Sequence, residues 1–286
     1  MIDLHSHSTF SDGELSPGEL LALAGKRGLR ALALTDHDTT EGLAELERAK
    51  IDGVERVPGV EVSAMLGADT IHVVGLFIRP NTEILQNLLH KIRSSRDERN
   101  SKILRRLRFL GCPVDEPQLR ACAGHGVMGR PHIARSLVAA GACSSIREAF
   151  NNFLGCRGKA YVKRYRPSVQ TAIEAIHTAG GVAVWAHPVG GRDLSESVLR
   201  ARLQSLRDCG LDAVESHYSD HSPEQRRTVE ALAGDAGLLL SGGSDFHGET
   251  MPGIDLAVGR GDLNVPDQFL LHLRARAHEI AAAQNP

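Results

Sequence analysis

The sequence has little cysteine and no excess of either charge. Its 286 residues include five cysteines, and none of them stands in a Cys-x-x-Cys pair. An odd, scattered set of cysteines argues against a disulfide framework or a thiolate zinc site, and it is typical of reduced thiols in the cytoplasm. The formal net charge of −2 argues against a dedicated polyanion-binding protein, which usually carries a basic excess.

Long apolar runs are also missing. No stretch approaches the roughly 18 apolar residues that a membrane span needs. The first residues do not form a basic segment followed by an apolar run, as a secretory signal would. We therefore expect a soluble cytoplasmic protein with no membrane association and no stable protein partner.

What the sequence does contain is an alternation of short apolar runs with amphipathic segments, which is typical of a parallel sheet with crossover helices. Capping boxes that begin at Ser16 and Ser222 mark the start of two helices. The predicted strands are 1–4, 31–34, 57–62, 70–77, 182–186, 213–215 and 238–240, and the predicted helices around them are 17–27, 41–50, 169–179, 196–209, 223–236 and 266–283.

The middle of the chain has a different pattern. A long charged helix is predicted at 82–110 and short helices at 118–123, 131–140 and 145–154, with no strand before 160–162. We therefore predict a barrel formed by residues 1–80 and 165–286 and a mostly helical insertion, or lid, formed by residues 81–164. The basic run from Arg93 to Arg108 is predicted to be a solvated helix face.

Residues that can bind metals follow most of the predicted strands. In a closed α/β barrel the carboxyl ends of parallel strands meet on one face, so these side chains are expected to converge. Neutral imidazoles and carboxylates without thiolates suit divalent transition metals. The residues concerned are His5, His7, Asp12, Asp36, His37, Glu61, His72, His187, Glu215, His217, Asp245 and His247.

Several of these residues stand in short motifs that resemble the PHP (polymerase and histidinol phosphatase) domain family. The resemblance implies a distorted seven-stranded β/α barrel, similar to a TIM barrel, with a phosphoesterase centre of two or three metals. The motifs, in that family's order, are His5-Ser6-His7, Thr35-Asp36-His37, Glu61, His72, Ala186-His187-Pro188 and Ser244-Asp245-Phe246-His247.

The resemblance also implies how the ligands are shared. Two histidines, a glutamate and an aspartate would hold one ion, and the same glutamate would bridge to a second. Mn²⁺ is the favoured metal, and Fe²⁺ or Zn²⁺ suit the same donors. Asp36 would orient an imidazole from behind. The implied sets are His5, His7, Glu61 and Asp245 for the first ion, Glu61, His72 and His187 for the second, and Asp12, His37 and His247 for the third.

A two-metal centre supplies an activated hydroxide, a clamp on the phosphoryl oxygens and stabilisation of the leaving oxygen. Asp245 and His187 are therefore predicted to be essential for turnover. His217 or a third metal is expected to neutralise charge or protonate the leaving group. No covalent nucleophile is expected, because Ser6 and Ser244 fit turn positions beside ligands.

The predicted lid carries residues suited to an anion. Pro131 at the first helical position places exposed backbone amides beside Arg130, which favours a bound phosphate. Arg135, further along this helix, and Lys159, where the chain returns to the barrel, are further candidates for holding a phosphate that is not cleaved. The residues expected to line the mouth of the site beside the metals are Ser216, His217 and His221.

A locally basic lid without a globally basic surface predicts a small substrate with more than one phosphate. The sequence resembles the PHP subgroup that carries such an insertion, whose members remove the 3′-phosphate of nucleoside 3′,5′-bisphosphates such as phosphoadenosine phosphate. We predict this phosphatase activity. The alternatives are a 5′→3′ exoribonuclease acting on short RNA, a histidinol phosphatase, and a PHP module without catalytic activity.

Overall fold

Seven strands paired in chain order form one sheet. The computed structural model describes residues 1–112, 114–115, 117, 119, 126–190 and 194–284. The α/β class predicted from the alternating pattern is confirmed. The strands are β1 (Ile2–Asp3), β2 (Ala31–Leu34), β3 (Glu55–Leu66), β4 (Asp69–Leu76), β5 (Val182–Trp185), β6 (Ala213–Tyr218) and β7 (Leu239–Gly243).

The sheet closes into a barrel between β1 and β7. The backbone N–H of Leu4 donates to the carbonyl of Gly242 at 3.2 Å. The buried Asp3 carboxylate also spans this seam, where it accepts the backbone N–H groups of Ser244 at 2.9 Å and Ala257 at 2.7 Å. The seam therefore brings the first and last motifs of the chain side by side, as the predicted seven-stranded barrel requires.

The β3–β4 pair departs from the parallel barrel that the sequence predicts. β4 runs antiparallel to both β3 and β5, whereas the other consecutive strand pairs are parallel. The reason is the short Gly67-Ala68 turn, which joins β3 to β4 directly and leaves no room for a crossover helix. Because β4 is inverted, its first half lies at the face where the parallel strands end, and His72 reaches that face from there.

Strand β3 is also longer than the predicted 57–62. Its first part pairs with β2 as far as the Leu34–Pro58 pair, and the part from Gly59 onward pairs with β4. Glu61 consequently lies within the strand and not at its end. It still lies beyond the last residue of β2, at the same face of the barrel.

Helices surround the barrel, and both predicted capping boxes are present, at Ser16 and Ser222. No helix in the described part of the chain combines the length and the apolar character that a membrane span needs. The helices are α1 (Pro17–Lys26), α2 (Leu43–Arg48), α3 (Glu83–Phe109), α4 (Arg130–Ala139), α5 (Ile146–Ala149), continued by a π-helical turn (Phe150–Leu154), α6 (Val169–Thr178), α7 (Glu196–Asp208), α8 (Pro223–Ala236), a 3₁₀ turn (Gly248–Thr250) and α9 (Asp267–Gln284).

Of the elements predicted for the middle of the chain, a strand at 160–162 is absent and a helix at 118–123 lies largely outside the described residues. The strand predicted at 160–162 is wrong, because the backbone there bonds to the helical segments instead: Ala160 N–H donates to the Phe153 carbonyl, and Arg106 donates to the Tyr161 carbonyl. The helix predicted at 118–123 lies, apart from Leu119, outside the described residues.

Helix α3 contributes to two apolar clusters. Its first half, with Leu85 and Ile92, packs into the barrel core. Its second half, with Ile103 and Leu107, packs against α4 and the segment that follows it, for example at Leu137. The division into a barrel (1–80 and 165–286) and a helical insertion (81–164) remains a prediction, and α3 is the element that contributes to both clusters.

The seam leads to a stability prediction at Gly243. A Cβ atom at Gly243 would lie 2.4 Å from both Cβ and N of His5. We expect Gly243→Ala to lower the free energy of unfolding by about 1–3 kcal/mol or more, because β7 cannot approach β1 as closely. Chemical denaturation monitored by circular dichroism measures this.

Gly234 in α8 provides the matched control, because a Cβ there has no neighbour within 4 Å. Gly234→Ala should stabilise the protein by up to about 1 kcal/mol, as alanine does in a helix interior. Equal effects of the two substitutions would show that the close approach at the seam does not matter.

Candidate metal centre

The first donor cluster joins the two ends of the chain. His5 Nε2 lies 3.5 Å from Glu61 Oε2 and 3.4 Å from Asp245 Oδ1. His7 Nε2 lies 3.3 and 3.1 Å from the same two oxygens. The four donor atoms lie within 4.8 Å of one another. The structure thus brings together the four residues predicted to hold the first ion.

Glu61 faces a second group of histidines. Its Oε1 lies 2.8 Å from His72 Nδ1 and 3.0 Å from His187 Nε2. Its Oε2 lies 2.7 Å from His37 Nδ1. Glu61 is fully buried between the two groups. This is the place of the predicted bridging carboxylate.

A third cluster surrounds Asp12, which follows the His5–His7 motif in the loop after β1. Asp12 Oδ1 lies 3.3 Å from His247 Nε2 and 3.9 Å from His37 Nε2. His7 belongs to this cluster as well. The three residues predicted for a third ion are therefore together, and His7 stands between the first and third clusters.

The donors of these clusters fit divalent cations. Among the described residues, His5 Nε2, His7 Nε2, Glu61 Oε2 and His72 Nδ1 are buried without a hydrogen-bond partner. Buried polar atoms normally have such a partner. Imidazole nitrogens and carboxylate oxygens that face one another in this way form the ligand set of a divalent transition metal.

The charges in the clusters depend on one another. Burial opposes charge on the histidines, but Glu61 and Asp12 outweigh it and raise the pKa of His37 to about 10. Asp245 and Asp12 likewise raise the pKa of His247 to about 9. Against the effect of burial, the imidazoles hold the pKa of Asp12 and Glu61 well below the usual range. A cation bound there would therefore displace protons from the histidines.

Groups behind the histidines determine which ring nitrogen faces the clusters. Glu215 Oε1 lies 3.2 Å from His5 Nδ1, and Glu215 Oε2 accepts the backbone N–H of His187 at 2.7 Å. A proton held on Nδ1 by Glu215 leaves Nε2 of His5 free for a metal. His247 is oriented in the same way by the carbonyl of Asp245, 2.8 Å from its Nδ1.

Asp36 reaches an imidazole through Ser11 and not by the direct contact that the sequence predicts. It accepts the backbone N–H and the hydroxyl of Ser8, both at 2.7 Å, and the hydroxyl of Ser11 at 2.6 Å. Ser11 Oγ in turn lies 3.4 Å from His7 Nδ1. Asp36 therefore holds the loop that carries His7 and orients its imidazole through Ser11.

The loops after β2, β5 and β7 each contain a non-glycine residue with a left-handed backbone conformation. The φ angles are 58° at Asp38, 35° at His187 and 56° at Asp245. Each such conformation costs a non-glycine residue about 1–3 kcal/mol unless the surroundings enforce it. These residues turn the chain sharply after β2, β5 and β7, and so direct the neighbouring motif side chains toward the clusters.

A β-bulge in β6 decides which residues of that strand reach the site. The pairing with β7 shifts between Glu215 and His217. Alternation is broken there, so Tyr218 shares the inner face with Glu215. Tyr218 Oη donates to Asp245 Oδ2 at 3.2 Å. Burial, followed by nearby carboxylates, raises the pKa of Tyr218, so the hydroxyl keeps its proton. Sequence reasoning missed Tyr218 because no local signal marks the bulge.

The same bulge turns His217 away from the clusters, contrary to its predicted catalytic role. Its ring packs against Phe269 of α9, with 5.2 Å between ring centroids, and its Nδ1 lies 3.5 Å from Glu230 of α8. Ser216 does not line the cavity beside the clusters either, and its hydroxyl lies 3.0 Å from His217 Nδ1. His221 lies 2.8 Å from the Ser216 carbonyl and supports the backbone of β6.

A cavity of about 530 Å³ adjoins the clusters. Its wall contains Arg130, one of the three cations predicted to hold a phosphate, but the other two lie elsewhere. Arg135 is not part of the lining, and Lys159 is exposed on the outer surface beside Lys102. The residues that line the cavity include Asp12, His37, His72, His187, Phe150, Tyr161, Trp185, Arg96, Arg99, Arg130, Arg164, Arg166 and Arg202.

The prediction that the basic run of α3 is a solvated face is wrong for two of its residues. Arg96 and Arg99 are 9% and 3% exposed and line the cavity. They lie between Ile92 and Ile103 on the buried face of α3, at helical spacings of three and four residues. Arginines within an apolar stripe were the signal available in the sequence, because a charged side chain there is directed inward.

Comparisons with known proteins agree with this geometry. The model of the PHP domain family matches residues 3–184. The chain is 37% identical over 246 residues to the 5′-3′ exoribonuclease of Haemophilus influenzae, covering 86% of this chain and 89% of that one. It is 36% identical over 259 residues to the 3′,5′-nucleoside bisphosphate phosphatase of Chromobacterium violaceum, covering 89% and 90%.

The fold is also similar to a solved structure. A Bifidobacterium adolescentis protein classed as a metal-dependent phosphoesterase superposes with a TM-score of 0.85 and 31% sequence identity, over 96% of both chains.

The contacts of Glu215 give a prediction for metal affinity. Glu215→Gln removes the charge that holds a proton on His5 Nδ1 and disturbs the bond to the His187 backbone. We expect the affinity for Mn²⁺ to fall about 10–100-fold, as for other residues that orient metal ligands. Calorimetric titration of metal-free protein measures it. Glu230→Gln is the matched control, because Glu230 lies in α8 beside His217 and away from the donor clusters. Equal losses of Mn²⁺ affinity in both variants would contradict the role of Glu215.

The placement of His217 gives a prediction for pH dependence. Burial, followed by the charges of Arg226 and His221, lowers its pKa to about 4. An unfolded histidine titrates near pH 6.5, so protons favour the unfolded chain, and stability is lost as the pH falls from about 6.5 toward 4. His217→Gln should flatten this part of the curve of unfolding free energy against pH. Its turnover should stay near that of the wild type, and a large loss of turnover would restore the catalytic role.

Proposed function

The chain belongs to the PHP domain family, and on that premise we propose that it removes the 3′-phosphate from nucleoside 3′,5′-bisphosphates and releases the nucleoside 5′-monophosphate. It would thus be a metal-dependent phosphoester hydrolase. One observation carries the choice of substrate. A single cavity is lined both by members of the second and third donor clusters, which suit cations, and by guanidinium groups, which suit anions.

Three of the six arginines that line the cavity lack the carboxylate partners that buried cations normally have among the described residues. None of the described carboxylates forms an ion pair with Arg99, Arg130 or Arg166. Arg99 is 3% exposed, and its Nε and Nη2 have no hydrogen-bond partner among the described residues. Burial, together with four neighbouring guanidinium groups, lowers its pKa to about 8. Because unpaired buried charge is costly, this wall is best explained as the site of an anionic ligand group.

A phosphate on the arginines would be a second phosphate, distinct from the one at the donor clusters. Arginine is well suited to it, since its planar fork can donate two parallel hydrogen bonds to phosphate oxygens. The cavity volume of about 530 Å³ is within the range of small-molecule sites. Phe150 and Tyr161, which are partly exposed in the cavity wall, offer aromatic surface for a nucleoside.

Each group of residues has its own task in this proposal. The clusters would hold divalent cations, which when bound neutralise phosphoryl oxygens and provide a water nucleophile at neutral pH. Arg99, Arg130 and Arg166, together with Arg96 and Arg164 of the same wall, bind the remote phosphate. This binding fixes the position of the scissile ester. Glu215 and Tyr218 hold a histidine and an aspartate of the first cluster in place. His217 takes no part in the chemistry.

Metal identity and location complete the proposal. We favour Mn²⁺, with Fe²⁺ or Zn²⁺ as substitutes, because imidazole and carboxylate donors without thiolate accept all three. We propose a cytoplasmic location, where thiols stay reduced, because the cysteines in the described part of the chain are free.

A 5′→3′ exoribonuclease acting on short RNA is the second candidate, and the named activity of the Haemophilus influenzae relative favours it. In that case the 5′-phosphate of the RNA would occupy the arginines and the first phosphodiester would lie at the clusters. Histidinol phosphatase is less well supported, because a substrate with one phosphate leaves the arginines unused. A module without catalytic activity is opposed by the complete donor clusters.

A substrate comparison tests the proposal. With added Mn²⁺, we expect kcat/KM for adenosine 3′,5′-bisphosphate to exceed that for adenosine 3′-monophosphate by about 100-fold or more, because the monophosphate leaves buried donors unpaired. Phosphate release measures both rates. Nucleotide release from a short 5′-phosphorylated RNA is measured beside them, and a faster rate there would identify the exoribonuclease.

Asp245→Asn is the control for this comparison. Asparagine tolerates the left-handed backbone of position 245, so the fold and the circular dichroism spectrum should be preserved. Loss of a ligand should lower turnover by about three orders of magnitude or more on every substrate. Equal rates on the two adenosine phosphates would contradict the arginine site. No hydrolysis by metal-replete wild-type protein would contradict the proposed activity.

A further inference from the structure

Asp38 lies between the donor clusters and the arginines of the cavity. It follows His37 in the loop after β2, is fully buried and has a φ angle of 58°. Its backbone N–H donates to the carbonyl of Glu61 at 2.8 Å, and its Oδ1 accepts the backbone N–H of Ser63 at 3.0 Å. Asp38 is therefore fixed to the strand that carries the bridging carboxylate.

Three arginines converge on the other side of Asp38. Arg96 of α3 donates to Oδ2, and Arg164, from the segment that returns to the barrel, lies 3.4 Å from the same atom. Arg93 donates to the backbone carbonyl of Asp38 at 3.0 Å. Arg96 and Arg164 line the cavity. One residue thus connects the Glu61 strand with two of the cavity arginines.

The charge of Asp38 is unfavourable for anion binding taken alone. A buried carboxylate beside an arginine wall cancels part of the positive charge and repels a phosphate. Asp38 also has an unusual backbone conformation that aims its carboxylate and its carbonyl at different arginines. Because the buried Asp38 carboxylate weakens the attraction of the wall for phosphate, its presence is best explained by the positions in which it holds the arginines.

We propose that Asp38 is a positioning residue that holds Arg96 and Arg164 in a fixed place relative to Glu61. A phosphate bound by the arginines then places the scissile ester at the donor clusters. The inference rests on the proposed function, because it assumes a substrate with two separate phosphates. It assigns the selectivity for such substrates to a residue that touches neither phosphate.

Asp38→Asn tests the inference, because asparagine accepts the left-handed conformation. Its amide oxygen can still accept the Ser63 N–H, while its NH₂ group replaces the oxygen that accepts from Arg96 and Arg164, so both the charge and the acceptor for the arginines are lost. The quantity measured is the ratio of kcat/KM for adenosine 3′,5′-bisphosphate to kcat/KM for p-nitrophenyl phosphate, which has no second phosphate. We expect this ratio to fall about 10–100-fold, the effect of losing a hydrogen bond between charged groups. A merely structural defect lowers both rates and leaves the ratio unchanged, and that result would overturn the inference.

Binding to metal-free protein gives a second readout that does not depend on turnover. We expect adenosine 5′-monophosphate to bind Asp38→Asn more weakly than wild type, since Arg96 and Arg164 lose their anchor. If Asp38 only reduces the positive charge, its removal makes binding tighter, and the inference fails. This binding measurement tests the role of Asp38 even if the wild type hydrolyses none of the phosphoesters. Such a lack of hydrolysis would refute the proposed function and would not refute the role of Asp38.

Two further variants complete the design. Combining Asp38→Asn with Arg164→Gln should lower the binding free energy by less than the sum of the two single changes, because both remove the contact between Asp38 and Arg164. Full additivity would contradict the inference. Asp212→Asn is the matched control. Asp212 is another buried aspartate, paired with His177 and Arg276 before β6 begins, so this change should leave the selectivity ratio unaltered.

Discussion

The Glu61 carboxylate, buried among five imidazoles, is the interaction on which the site depends. An ionised carboxylate without compensation in a barrel interior would cost several kcal/mol. His5, His7, His37, His72 and His187 all lie within 3.5 Å of it, and they can carry protons or share metal ions with it. Apart from the His5–His7 pair, each of these histidines comes from a different strand or loop. The negative charge of Glu61 is therefore compensated only when most of the barrel has folded.

The irregular features of the barrel serve the same requirement. The inverted β4 brings His72, in the first half of that strand, to the face of the barrel that carries the donor clusters. The bulge in β6 directs Tyr218 toward the clusters and His217 away from them. Left-handed residues turn the chain after β2, β5 and β7. A regular parallel barrel would need none of these departures, and each of those named here lies at or beside a residue of the clusters around Glu61.

Two kinds of electrostatic surface meet in the cavity. Carboxylates and imidazoles suit cations, whereas the arginine wall suits anions, and a phosphoester with a second phosphate needs both. Placing them next to each other carries the risk that arginines collapse onto the metal ligands. Asp38 separates the two by engaging Arg96 and Arg164 itself. The substrate preference of the protein would then follow from the distance between two charged surfaces as well as from their composition.

The sequence by itself determined the chemistry of the donors. His-x-His spacing and carboxylates after strands indicated a metal site on an α/β sheet, because these depend on residue type and on local alternation. The resemblance of the motifs to the PHP family implied the seven-stranded barrel and how its donors are shared. Only the tertiary structure decided the role of β6, where a one-residue bulge reverses which side chains face inward. It also decided that Arg96 and Arg99 reach this cavity and that Lys159 does not. Their place in an apolar stripe of α3 indicates burial, but the surface that they face depends on how α3 packs against a barrel built from residues far away in the chain.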